Sequence, residues 1–166
     1  MKTSTEAAPE GATHSDVMVA AGRLLTRRGY FENELRDRLL GAGHDGAAVD
    51  AALHRLKSLE LLDDAALARC WIAERSRTKP RSREALRREL EGKGVDPEIV
   101  EQALASCAPD DLTQARALAT AAVGRLAGLP LQVQARRLRG RLLSRGFETE
   151  IVAEAARAAL PPEGWD

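Results

Sequence analysis

Two stretches hold the side chains that could do chemistry, and that chemistry is the gripping of an anion. The first runs Arg75, Arg77, Lys79, Arg81 and Arg83, with Arg87 and Arg88 following. Pro80 interrupts it, and a proline cannot continue a helix, so the stretch reads as a loop. The second is the segment ARRLRGRLLSRG. At 100° per residue, Arg136, Arg137, Arg141 and Arg145 occupy one half of such a helix, and Ala135, Leu138, Leu142 and Leu143 the other; only Arg139 strays. No acid lies between Arg136 and Arg145, so this face lacks the i, i+4 partners of a salt-laced surface. Guanidinium forks suit phosphates and carboxylates equally. The bland alternative is an ordinary solvated face.

No second chemistry emerges. His14, His44 and His54 are scattered, and no zinc-protease helix, phosphate loop, dinucleotide fingerprint or serine elbow is present. Carboxylates gather at helix starts, where the helix dipole accounts for them. Cys70 and Cys107 make neither a disulfide framework nor a zinc site, and their apolar surroundings predict buried free thiols in a reducing cytoplasm. The expectation is therefore no catalytic, cofactor-binding or metal-binding residues, no cofactor, and no enzyme. Residues 1–15 lack the apolar core of a signal peptide, and no apolar run is long enough to span a membrane.

Charge adds a direction. The 166 residues balance at 25 basic against 25 acidic. Residues 112–160 nevertheless hold 8 basic and 3 acidic side chains, whereas residues 1–64 hold 8 and 11. A basic C-terminal third points to a polyanion or an acidic protein face. Aromatics make up only 3 %, too few for base stacking, so sequence-specific recognition of a single strand is not expected.

The elements that must position these groups are written three times. Leu86, Leu90, Gly94, Asp96, Val100 and Leu104 read as helix, glycine stop, capped helix. Leu35, Leu39, Gly43, Asp45, Val49 and Leu53 repeat the pattern upstream; Leu138, Leu142, Gly146, Glu148, Val152 and Ala156 repeat it downstream, at offsets of 51 and 52 residues. A further helix precedes each copy: one that Ser15 or Asp16 can cap, that carries Val17, Ala20, Ala21, Leu24 and Leu25 on one side and that Gly29 ends near Arg27 and Arg28; Ala65 to about Arg75; and Leu112 to about Leu126. The joints are Leu61-Leu62-Asp63-Asp64 and Ala108-Pro109-Asp110-Asp111. Strand signals are missing. The predicted fold is all-α: an elongated array of three tandem three-helix repeats over 16–62, 63–108 and 109–160, between a disordered tail (1–15) and a C-terminal tail (161–166) holding Trp165. Units of this size are too small to be stable alone, so neighbours must bury faces against each other.

The thrice-repeated L-x-x-x-L-x-x-x-G, the Leu-Asp-Asp joint with Ala68 after it, and the ending Leu142-Leu143-Ser144-Arg145-Gly146-Phe147 together resemble the RecX family of bacterial regulatory proteins, over residues 16–160. Two positions depart: Phe31 stands where relatives carry an N-cap serine, and Leu67 where an aromatic is common. The resemblance implies a non-enzymatic, cytoplasmic, monomeric protein of DNA repair, recombination and the SOS response. Such a protein binds the RecA nucleoprotein filament and restrains its ATPase, strand exchange and coprotease activities. The ten candidates for filament or DNA contact are Arg75, Arg77, Lys79, Arg81, Arg83, Arg87, Arg136, Arg137, Arg141 and Arg145, with single- or double-stranded DNA as a second partner. The alternative is a helical DNA-binding protein that competes with RecA for DNA without touching it.

Overall fold

The computed structural model describes residues 14–161 and 163. The tail expected over 1–15 lies almost wholly outside these residues, as does Trp165. Nine helices are described, three per repeat: α1 His14–Leu25, α2 Glu32–Gly41 and α3 Gly46–Ser58; α4 Asp64–Thr78, α5 Arg83–Glu91 and α6 Pro97–Cys107; α7 Asp111–Leu126, α8 Leu131–Leu143 and α9 Thr149–Ala159. The chain is all-α among the described residues.

The repeated pattern is the pattern of the core. All six leucines of the three L-x-x-x-L pairs are buried, as are Val49, Val100, Val152, Leu53, Leu104 and Ala156. Fully burying a leucine contributes roughly 1.5–3 kcal/mol, which is why these positions carry the register. The three stop glycines, Gly43, Gly94 and Gly146, all take positive φ, at 88°, 76° and 88°. Asp45 and Asp96 cap the helices that follow by accepting from the N–H groups of Ala48 and Glu98.

The chain divides into two compact units. In the first, comprising residues up to Leu67 with Lys93–Val95, one core joins Val17 and Ala21 of α1 to Leu35 and Leu39 of α2 and to Val49, Leu53 and Leu56 of α3. In the second, comprising Ala68–Gly92 and the chain from Asp96 onward, α7, α8 and α9 enclose Ala119, Leu138, Leu142, Phe147 and Val152. The same unit buries Ala68, Ile72, Leu86 and Leu90.

Each unit contains one joint between successive repeats, and the two joints are built alike. Asp63 caps its own helix, accepting from the Ala66 N–H at 2.8 Å. Asp64 instead crosses to the preceding repeat and accepts from the Glu32 N–H, the first of α2, at 2.9 Å. At the second joint Asp110 accepts from the Thr113 N–H at 2.9 Å, and Asp111 crosses to accept from the Arg83 N–H of α5 at 2.7 Å. The corner of the following repeat closes on the same helix start. The Gly94 carbonyl accepts from Asn33 Nδ2, and the Arg145 carbonyl accepts from the Ser82 N–H at 3.1 Å.

Several expectations change. Ser15 and Asp16 lie within α1, His14–Leu25, so neither is the residue flanking its start. Phe31 is the N-cap residue of α2 but is buried and gives no side-chain cap; Asp64 supplies one instead. Cys70 is exposed and Cys107 half-buried, not buried as expected. Cys70 follows Ala68 by two residues, about 200° around α4, and so faces away from the core stripe of Ala68 and Ile72.

Candidate functional site

The first basic stretch is not the open loop that Pro80 indicated. α4 continues through Thr78, so Arg75 and Arg77 are helical and only residues 79–82 remain irregular. Pro80 sits two residues past the helix end, where its missing N–H costs nothing.

Four of the seven cations in this stretch are in ion pairs, and Arg75 and Arg87 reach acids on other helices. The Arg75 guanidinium lies over the Trp71 ring at 4.7 Å and reaches Glu89 at 2.6 Å. Arg77 pairs with Glu74 at 2.8 Å and Arg88 with Glu84 at 3.3 Å. Arg87 is held between Glu101 and Glu84, which raise its pKa further, and Arg87 in turn depresses the pKa of Glu101. Arg83 donates to the Ala108 carbonyl at 3.2 Å. Lys79 is exposed with no ion pair among the described residues, and the Nε of Arg81 is buried without a hydrogen-bond partner among them. This stretch is largely neutralised from within. Glu89 and Glu101, each 14 residues from its arginine, come from other helices, so spacing along one helix does not reveal them.

The α8 stretch is the opposite case. Arg136, Arg137 and Arg141 are exposed and make no ion pair with any described residue. α8 ends at Leu143, two residues before Arg145. Arg145 lies in the turn that follows, half-buried, just before Gly146 takes its positive φ. Leu143, assigned to the apolar half, is 50 % exposed.

Two neighbouring hollows result, both within the second unit. An open cleft of about 470 Å³ between α7 and α8 has Arg125, Arg137 and Arg141 on its walls, over Ala122, Leu126 and Gly140. A wider groove of about 620 Å³ lies beside it, lined by Arg81, Arg88, Glu89, Leu143 and Arg145. Ser144 borders both. Burial, and then the charges of Arg81 and Arg141, push the Arg145 guanidinium below its ordinary pKa. The fold thus brings together Arg81 from the first stretch and Arg141 and Arg145 from the second. It leaves Arg75, Arg77 and Arg87 in their own pairs.

Arg125 was not among the sequence candidates. The signal that could have found it is an acid-free run: residues 112–147 contain no aspartate or glutamate. Any arginine in that run has only distant acids to pair with. Arg116 finds one, Glu154 of α9, at 2.6 Å; Arg125 finds none among the described residues. Among the described residues no group of three histidine, cysteine or carboxylate side chains could hold a metal ion. No described helix is long and apolar enough to cross a membrane. What this surface can do chemically is bind anions.

Comparison with known proteins gives one family. Residues 18–56 match the model of the first three-helix domain of RecX, and residues 63–104 that of the second. A protein of Thermobifida fusca described as "Regulatory protein RecX" is 32 % identical over 143 residues, 86 % of this chain and 77 % of its own. One of Chlorobaculum tepidum with the same description is 33 % identical over 151 residues, 90 % of this chain and 91 % of its own. The crystal structure of RecX from Lactobacillus salivarius superposes with a TM-score of 0.73 at 20 % identity, over 88 % of this chain and 96 % of that one, a likeness of fold.

Proposed function

The chain belongs to the RecX family of regulatory proteins, and on that premise we propose that it binds the RecA nucleoprotein filament and lowers its ATP hydrolysis, strand exchange and coprotease activity. The observation that carries this reading is the kinship, held over 77 % and 91 % of the length of two relatives described as regulatory proteins. The surface is consistent with it: arginines without internal partners, suited to an acidic protein face or a phosphate backbone. Restraint follows from differential affinity. A protein that binds one filament state better than another draws the filament into that state by the difference, and needs no catalytic group to do so. It acts as a monomer in the cytoplasm, where filaments form.

The test is steady-state ATP hydrolysis by RecA on single-stranded DNA with this protein added. Turnover should fall to a low plateau at saturating protein. Unchanged turnover removes the proposal. The competing reading, a protein that only displaces RecA from DNA, is favoured by the unpaired arginines of α8. It is separated by order of addition: a competitor fails against preformed filaments, whereas a filament binder still acts.

A further inference from the structure

The two basic stretches stood as one pool of ten candidate contacts; the structure divides them. Arg75, Arg77, Arg87 and Arg88 are in ion pairs. Arg125, Arg137 and Arg141 are not, and they stand around a single cleft whose floor is apolar and small, Ala122, Leu126 and Gly140. A Cβ added at Gly140 would meet nothing within 4 Å, so the space above the floor is open. No carboxylate lines the cleft.

We propose that this cleft of the third repeat is a nucleic-acid site, in which Arg125, Arg137 and Arg141 hold successive phosphates of one strand. Three unpartnered cations around one short, open cleft call for an anion that recurs at short intervals. Arg137 and Arg141 are four residues apart on α8, ~6 Å along its axis, and Arg125 faces them from α7. A phosphodiester strand carries a charge at every unit. A protein segment would need an acid at nearly every turn of its chain to match. The apolar floor suits sugar edges, and nothing aromatic lines it, so the strand is read by its backbone and not by its bases. Arg145 and Arg81 lie in the adjoining groove past Ser144, where Arg88 and Glu89 accompany them. The inference concerns naked nucleic acid and does not depend on the recombinase reading.

The experiment is fluorescence anisotropy with a labelled oligothymidylate of about thirty nucleotides, spanning several such sites, measured at several salt concentrations. The variant is Arg125→Gln/Arg137→Gln/Arg141→Gln, and its control is Arg75→Gln/Arg77→Gln/Arg87→Gln, which removes the same net charge. Each single-strand phosphate contact contributes about 0.7 to the slope of log affinity against log salt. Three contacts therefore contribute about 2, or roughly a 20-fold change in affinity for a fourfold change in salt. The cleft variant should lose that increment, with its helical circular dichroism unchanged, and the control should keep it. Equal losses in both variants would mean that net charge, not the cleft, binds the strand, and would overturn the proposal. So would unchanged binding in the cleft variant. Oligoglutamate of similar length is the third arm: if the cleft variant loses it as steeply as the oligothymidylate, the cleft takes acidic protein and the nucleic-acid assignment fails.

Discussion

Asp63 and Asp64 are adjacent and chemically identical, yet they do different work. Asp63 accepts from an N–H of its own helix, and Asp64 from the first N–H of α2 in the preceding repeat. Burial raises the Asp64 pKa above the ordinary carboxylate range, and the Glu32 N–H bond offsets part of that. The bond is useful while the charge is costly, and the two can be separated. Asp64→Ala leaves the Glu32 N–H without its acceptor and should destabilise by about 1–2 kcal/mol. Asp64→Asn keeps an acceptor and drops the buried charge, so near neutral pH it should match or exceed the wild type. Because the folded pKa of Asp64 is raised, its contribution to stability is present at acid pH and lost as pH rises through that value. Any advantage of Asp64→Asn should therefore shrink as the pH is lowered through the raised pKa of Asp64 toward the ordinary aspartate value. Urea unfolding of the three proteins at two pH values checks both statements; an advantage that grows on acidification would contradict the burial argument. Glu34 titrates in the opposite sense, its pKa depressed by Arg28, but it is common to all three proteins and cancels in the comparison.

Among the helices, the stop glycines test how strongly successive repeats depend on each other. Gly43 and Gly146 have the same φ of 88°, so replacement by alanine carries the same backbone cost of about 1–2 kcal/mol at either. Their surroundings differ. A Cβ at Gly43 meets nothing within 4 Å, whereas one at Gly146 would lie 2.8 Å from Ser82 Oγ and 2.9 Å from the Ala85 Cβ, at the start of α5. Gly146→Ala should therefore lower the unfolding midpoint clearly more than Gly43→Ala, and the excess reports the contact between repeats. Equal midpoints would mean that the corner yields. The glycines themselves were legible, because a residue at positive φ leaves a mark on the sequence. So were the buried leucines between them, through their spacing of four. What they press against was not, since Ser82 and Gly146 are 64 residues apart and meet only by tertiary packing. Asp64 and Asp111 illustrate the same limit. The sequence marked each joint as a helix start, but nothing local distinguishes an acid that caps its own helix from one that crosses to another. The extra turn of α4 was missed for a related reason: a polar, basic helix end resembles a loop until the acids that neutralise it are in place.

Over the whole chain, the balance of 25 against 25 conceals which charges are available to a partner. Arg28, Arg36, Arg75, Arg77, Arg87, Arg88 and Arg116 are in ion pairs within the protein, as is Lys57. A cation that already has a carboxylate exchanges one partner for another on binding and gains little. An unpaired arginine gains the full contact and displaces a counterion from a phosphate. The salt sensitivity of inhibition should therefore follow the few unpaired arginines of the third repeat and not the basic total. Concretely, the protein concentration that halves RecA ATPase should rise with salt along a log–log line for the wild type, and along a shallower one for Arg125→Gln/Arg137→Gln/Arg141→Gln. The slopes should differ by about 2, from three single-strand phosphate contacts at about 0.7 each. The filament's own response to salt is common to both proteins and drops out of the difference. Parallel lines, offset or not, would show that the cleft does not bear on DNA within the inhibited filament.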